Sequence, residues 1–291
     1  MTSSSLPFRL RGADRREEVE LPDGRRLAWS EWGPADGPVV LLCTGAATSG
    51  SLGLDADAVD ASGVRLVGLD RPGLGRSTHD PARTLTSFAA DVAAAGRSAG
   101  WLRPVAVGFS QGAPFALALA ASGLVDRVAV VSGQDDLAEH LPTLDDHLRG
   151  LVEAVRARPD AVEQDVADST TADWFLTMVD TTSGEADRAV YRDPAFSAAF
   201  TAAVREALEP GAAGYARDLV TAMGPWPFRP EDVLAHVDLW YGALDDSPVH
   251  SPDHGARLAA RLPHADRHVD PGEGGSLLWT RSREILATLL A

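Results

Sequence analysis

The stretch PVAVGFSQGAPFALALAA, Pro104–Ala121, decides the fold. Its first half is apolar and short enough for a buried strand, and its second half is an Ala- and Leu-rich helix former. Between them lies Gly108-Phe109-Ser110-Gln111-Gly112, a G-x-S-x-G pattern set between strand and helix. That setting places a serine on a sharp turn with its hydroxyl exposed. The flanking glycines suit a turn where strand and helix approach too closely for a Cβ. At the new helix's first turn the Gln111 amide is free to face a developing oxyanion.

Working outward, the same alternation recurs. Val128–Ser132 and Val64–Asp70 read as buried strands, as does Val39–Cys43, apolar throughout, and Arg25–Trp32 reads as an earlier one. Ser87–Ala99 and Ala113–Ala121 read as helices between them. Strand-helix-strand alternation with buried strands predicts a parallel sheet covered on both faces. From Gln134 to Arg229 the pattern changes to helical spacing, in HLRGLVEAVRAR, TADWFLTMV, PAFSAAFTAAVREAL and GYARDLVTAM. Strands return at Val237–Tyr241 and Arg267–Val269, and Ser282–Leu290 closes the chain as a helix. The expected division is a core of residues 1–133 and 231–291 with a helical cap, 134–230, over the carboxyl ends of the strands, where open α/β sheets bind ligands.

The chain has 291 residues, 45% of them hydrophobic and 23% charged, which excludes disordered and collagen-like architectures. Its net charge is −16, and every basic residue is arginine. So acidic a surface repels phosphate backbones, and no nucleic-acid partner is expected. A single cysteine, Cys43, excludes an intrachain disulfide framework and reads as a small core residue. The opening MTSSSLPFRLRGADRREEVE lacks a secretory apolar core, and no run approaches the length that spans a bilayer. A soluble, cytoplasmic protein without a membrane partner is therefore expected.

Two further segments carry a family likeness. Asp70-Arg71-Pro72-Gly73-Leu74-Gly75-Arg76-Ser77 and Pro225-Trp226-Pro227-Phe228, with GFSQG, resemble the α/β-hydrolase fold family over nearly the whole chain. The resemblance implies a mostly parallel eight-stranded sheet flanked by helices, with an inserted helical cap. It also implies a nucleophile at Ser110 and an oxyanion hole from the amides of Gln111 and Ala46, the latter in Thr44-Gly45-Ala46-Ala47 where the family usually has His-Gly. The acid after the seventh strand falls on Asp245, by the G-x-x-D spacing from Gly242.

The family's histidine ends a Pro-Gly-x-Gly-His stretch. Here Pro271-Gly272-Glu273-Gly274-Gly275 puts glycine in that slot. The resemblance thus implies an incomplete or rearranged triad. Substitute bases among the eight histidines are His250, five residues past Asp245, His268 in the last strand, and His79 after the DRPGLGRS loop. Gln134-Asp135-Asp136 offers a further carboxylate, or only a polar turn. Trp174, Phe175, Tyr215 and Trp226 are candidate walls of an apolar pocket under the cap, for a small hydrophobic molecule. No Cys/His/acid cluster has metal-site spacing, and neither a dinucleotide nor a Walker motif is present, so no cofactor is expected. The functions in play are a serine hydrolase acting on a small ester, thioester or lactone, a non-hydrolytic enzyme working by cyclisation, elimination or proton transfer, and a ligand-binding relative without activity.

Overall fold

The apolar runs assemble into one eight-stranded sheet in the order β1-β2-β4-β3-β5-β6-β7-β8. The computed structural model describes residues 6–291; the first five, part of the opening segment read above, lie outside them. The strands are β1 Arg15–Glu20, β2 Arg26–Trp32, β3 Val39–Cys43, β4 Arg65–Asp70, β5 Val105–Phe109, β6 Arg127–Val131, β7 His236–Gly242 and β8 Ala265–Asp270. β2 pairs antiparallel with both β1 and β4, and every other pairing is parallel. β1, RREEVE, is half-exposed at the sheet edge, which is why its charged residues carried no strand signal.

Helices α1 Ala56–Ser62, α2 Leu85–Ala99 and α3 Ala113–Ala121 connect the central strands. Side chains of β3 alternate between two cores: Val40 and Leu42 enter one, Leu41 and Cys43 the other. Cys43 is fully buried, and burial pushes its thiol up to about 12, so it is an inert core residue.

Between β6 and β7 lie α4 Asp146–Ala157, α5 Pro159–Ser169, α6 Ala172–Thr182, α7 Glu185–Tyr191, α8 Pro194–Ala207 and α9 Ala213–Met223. Side-chain caps start three of them, from Asp145, Thr171 and Asp193. After β7 come α10 Ala256–Arg261, α11 Leu277–Thr280 and α12 Ser282–Leu289. No helix among the described residues is long and apolar enough to cross a membrane.

The strand order sets the position of the site. The chain passes outward from β3 to β4, then returns over β3 to β5, so β3 and β5 are neighbours whose connections leave in opposite directions. Such a switch point opens a crevice at the carboxyl ends of the strands. Thr44-Gly45-Ala46 follows β3 there, and Ser110 follows β5 beside it.

Candidate active site

Ser110 has φ +51°, a left-handed conformation that a side chain other than glycine seldom adopts. The turn is held because β5 and α3 meet at Gly108, where a Cβ would come within 2.7 Å of the Ala116 Cβ and 2.8 Å of the Ala113 Cα. The strain aims the hydroxyl away from the sheet into a cavity of about 470 Å³.

A histidine waits there. The Nε2 of His250 lies 2.9 Å from the Ser110 Oγ, and its Nδ1 lies 2.7 Å from the Asp245 Oδ2. An ionised carboxylate can only accept, so Nδ1 carries the proton and donates it, leaving Nε2 to accept from the serine hydroxyl. All three residues are buried or nearly so, which strengthens each contact over its value in water. Burial alone pulls the imidazole towards neutrality, but the charge and hydrogen bond of Asp245 outweigh it and raise the His250 pKa above its ordinary value. Burial likewise pushes Asp245 up, while His250 and the Ser247 amide outweigh that and hold it below the carboxylate norm.

The path of the loop after β7 explains how His250 gets there. The Asp245 amide donates to the Gly242 carbonyl, closing a turn that points the carboxylate back over the strand end. Next to the histidine, the Ser251 amide donates to the Gly133 carbonyl at 3.0 Å, and its hydroxyl donates to the Asp135 Oδ2 at 3.2 Å. The Tyr241 hydroxyl donates to the same Gly133 carbonyl. The loop is thus pinned to the end of β6, beside Ser110. Asp135 also bonds His140 at 2.9 Å, and Asp136 accepts from Ala138, so Gln134-Asp135-Asp136 is a structured polar turn supporting the histidine loop.

The glycine slot is filled from two sides. A Cβ on Gly275 would lie 2.8 Å from the Asp245 Oδ1 and 2.9 Å from its Cγ. The Gly275 and Ser276 amides both donate to the carboxylate of Asp187, on α7, at 2.9 and 2.7 Å. A side chain at 275 and Asp245 in its present place are mutually exclusive. Of the two arrangements the resemblance implied, incomplete or rearranged, the geometry matches the second, with an imidazole in contact with the serine from a different loop.

Other candidates lie elsewhere. His268 stacks on Trp240 at 4.1 Å and faces Asp238, because β8 turns it along the sheet rather than to its end. His79 sits beside Gly73, half-buried among Arg83 and its neighbours, and does not line the cavity. Trp226 also departs from expectation: it packs on Phe228, donates to the Ala222 carbonyl and joins the opposite core, since the chain has already left α9 for the sheet. Trp174, Phe175 and Tyr215 do line the cavity.

So do Ala46 and Gln111, and among the described residues no turn or loop carbonyl accepts from either amide. Sequence reading missed Gln134, Tyr191, Phe200 and Asp187 as lining residues. The aromatics could have been found from helical periodicity, but Asp187 looks like any acid in a helix's first turn.

Among the described residues, two groups have the spacing to hold a metal ion: Asp135–His140–Asp253 and His236–Asp238–Asp266. In the first the imidazole is already hydrogen-bonded to Asp135 and the Asp253 carboxylate caps the backbone of Ala256 and Arg257.

A family model described as the alpha/beta hydrolase fold matches residues 38–282, a span that includes Ser110, Asp245, His250 and Gly275. The chain belongs to the α/β-hydrolase fold family. No curated protein matches it. Among solved α/β structures it is similar to an esterase from Exiguobacterium antarcticum, at 13% identity, 94% coverage of this chain and 97% of that one, and TM-score 0.71. It is also similar to an enol-lactonase from Burkholderia xenovorans LB400, at 18% identity, 94% and 98% coverage and TM-score 0.70. A bromoperoxidase from Bacillus anthracis follows at 16% identity, 95% and 98% coverage and TM-score 0.69. At these identities the likeness to this α/β-hydrolase is one of fold.

Proposed function

We propose that the protein is a serine hydrolase acting on small neutral carboxylic esters, thioesters or lactones, with Ser110 as nucleophile, His250 as general base and Asp245 as its orienting carboxylate. The observation that carries this reading is the unbroken Ser110–His250–Asp245 hydrogen-bond chain, whose serine and histidine line the cavity. His250 takes the hydroxyl proton as Ser110 attacks the carbonyl carbon, and Asp245 stabilises the imidazolium. The Ala46 and Gln111 amides receive the oxyanion. Collapse of the tetrahedral intermediate sends the proton from His250 to the leaving oxygen or sulfur, and water then repeats the sequence on the acyl-enzyme. Helices within residues 134–230 act as a cap, supplying Trp174, Phe175 and Tyr215 as the apolar wall.

The cavity favours neutral substrates. It is lined by Asp145 and Asp187 and by no arginine, in a chain without lysine and with a net charge of −16. An acyl group ending in a carboxylate would meet two carboxylates and no guanidinium or ammonium group there, and would lose hydration without an ion pair to compensate. Hydrolysis of a medium-chain neutral nitrophenyl ester is expected to exceed that of the same ester bearing a terminal carboxylate by about 100-fold in kcat/KM, the loss of roughly one desolvated polar contact or two. A fluorophosphonate should label Ser110 and no other residue. Equal rates for the two esters would remove the neutral-substrate assignment, and absence of both labelling and turnover would remove the hydrolase itself.

A non-hydrolytic or purely binding role is the reading that an absent base would favour, and the imidazole at hydrogen-bond distance from the serine weighs against it.

The base must be neutral to work, so activity should rise with pH through the His250 titration. Because Asp245 raises the His250 pKa, the midpoint of kcat/KM is expected above the ordinary histidine value of about 6.5. Asp245→Asn removes that influence and should shift the midpoint downward while lowering the plateau. A pH profile of both proteins checks this, and an unchanged midpoint would mean that another group is the base.

A further inference from the structure

We infer that Arg71, in the turn after β4, is a positioning residue for the oxyanion site: its guanidinium grips the loop after β3 and so aims the Ala46 amide at the reacting carbonyl. The inference rests on the function proposed above and deepens it.

Arg71 is fully buried, and its donors go to three places. Nη1 donates to the Thr44 carbonyl, Nη2 to the Gly45 carbonyl at 2.9 Å, and Nε to the Asp218 Oδ2 at 2.8 Å. No cis peptide bond occurs among the described residues. In a trans peptide the C=O and N–H point in opposite directions. Drawing the Gly45 oxygen inward to Arg71 therefore turns the N–H of the same peptide, that of Ala46, outward to the cavity that Ala46 lines. A fork that holds two successive carbonyls fixes two peptide planes, which a point-like ammonium cannot do.

The loop's own side chains fix its outer half and leave the Gly45 carbonyl to Arg71. Thr44, standing where the family usually has histidine, donates its hydroxyl to the Thr48 carbonyl at 2.7 Å, and the Thr48 hydroxyl donates to the Ala46 carbonyl at 2.8 Å. The charge around Arg71 is also unbalanced. Arg83 shares the single carboxylate of Asp218, and both guanidinium groups face the Phe115 ring, 4.9 Å away for Arg71. Two buried cations and one anion leave a net positive charge beside the Gly45 carbonyl. That charge polarises the peptide and makes the Ala46 N–H a stronger donor.

Arg83 supplies the control. It donates to the Pro72 and Gly214 carbonyls and to Asp218, and to neither Thr44 nor Gly45. Arg71→Lys and Arg83→Lys disturb the same buried cluster, and urea midpoints measure how far each destabilises it. Arg71→Lys is expected to lower kcat on a neutral nitrophenyl ester about 100-fold, the scale of one oxyanion donor, with KM changed less than about threefold. Affinity for a trifluoromethyl ketone, whose adduct carries the oxyanion, should fall in proportion to kcat. Arg83→Lys should keep kcat within about threefold at a temperature where it remains folded. Crystal structures should show the Gly45–Ala46 peptide rotated in Arg71→Lys and unmoved in Arg83→Lys. Equal losses of kcat in the two variants, or an unrotated peptide with full kcat in Arg71→Lys, would overturn the inference. Should the wild-type protein hydrolyse no ester, the proposed function falls, and the peptide orientation alone then decides whether Arg71 sets it.

Discussion

Replacing His250 with alanine is expected to lower kcat on a neutral nitrophenyl ester by roughly 10⁴- to 10⁶-fold, the scale on which serine hydrolases lose activity with their base. Without Nε2 at 2.9 Å the Ser110 hydroxyl has no acceptor for its proton and remains a neutral alcohol. What survives is the contribution of the oxyanion amides and of binding, about 10³- to 10⁴-fold over water. Fluorophosphonate labelling should slow by a similar factor, since it needs the same activated oxygen. His268→Ala and His79→Ala should leave kcat within about twofold, because neither ring lies at the cavity. Steady-state kinetics on the three purified variants make the comparison. A His250→Ala protein within tenfold of wild type would show that the imidazole seen against the serine is not the base.

The second large effect is one of direction. Restoring the family's usual histidine by Gly275→His is expected to destroy activity, not to add it. The new Cβ would lie within 3.0 Å of every carboxylate atom of Asp245 beyond its own Cβ. Asp245 must then leave His250, and an imidazole freed from its carboxylate loses tautomer and orientation, a change worth about 10⁴-fold in kcat. The crowding itself should destabilise the fold by about 1–3 kcal/mol. Gly275→Ala carries the same Cβ without a ring and separates the two effects: it should also lose most activity. Urea denaturation together with kcat for both variants is the measurement. Retention of wild-type kcat by Gly275→His would show that the loop has room the geometry denies.

The legible part of the site is local in the chain. Gly108, Ser110 and Gly112 sit within one strand-turn-helix unit and so form a short readable pattern; Gly108 is pressed by Ala113 and Ala116 of the helix that follows, whereas Gly112 is pressed by the Cys43 and Thr44 carbonyls at the end of β3. Asp245 is legible for a similar reason, since it stands at a short fixed distance from the end of β7. Four of the six α-helices between β6 and β7, α4, α6, α8 and α9, announced themselves by periodicity, while α5 and α7 did not, and periodicity did not say that Trp226 would turn to the far core while Trp174 stayed on the cavity. β1 escaped because an exposed edge strand needs no alternation of apolar residues.

By itself, then, the amino-acid order made the alternating layers, the serine turn and the position of Asp245 readable, because each is written in a short pattern of neighbouring residues. Which histidine meets the serine was decided only in three dimensions. His250 is brought to Ser110 across 140 residues by a loop tied through Ser251 to Gly133 and Asp135. The empty side chain at Gly275 has the same kind of origin. It accommodates Asp245 above and leaves its amide to Asp187, a residue 88 positions away, and such long-range packing has no signature in either local segment.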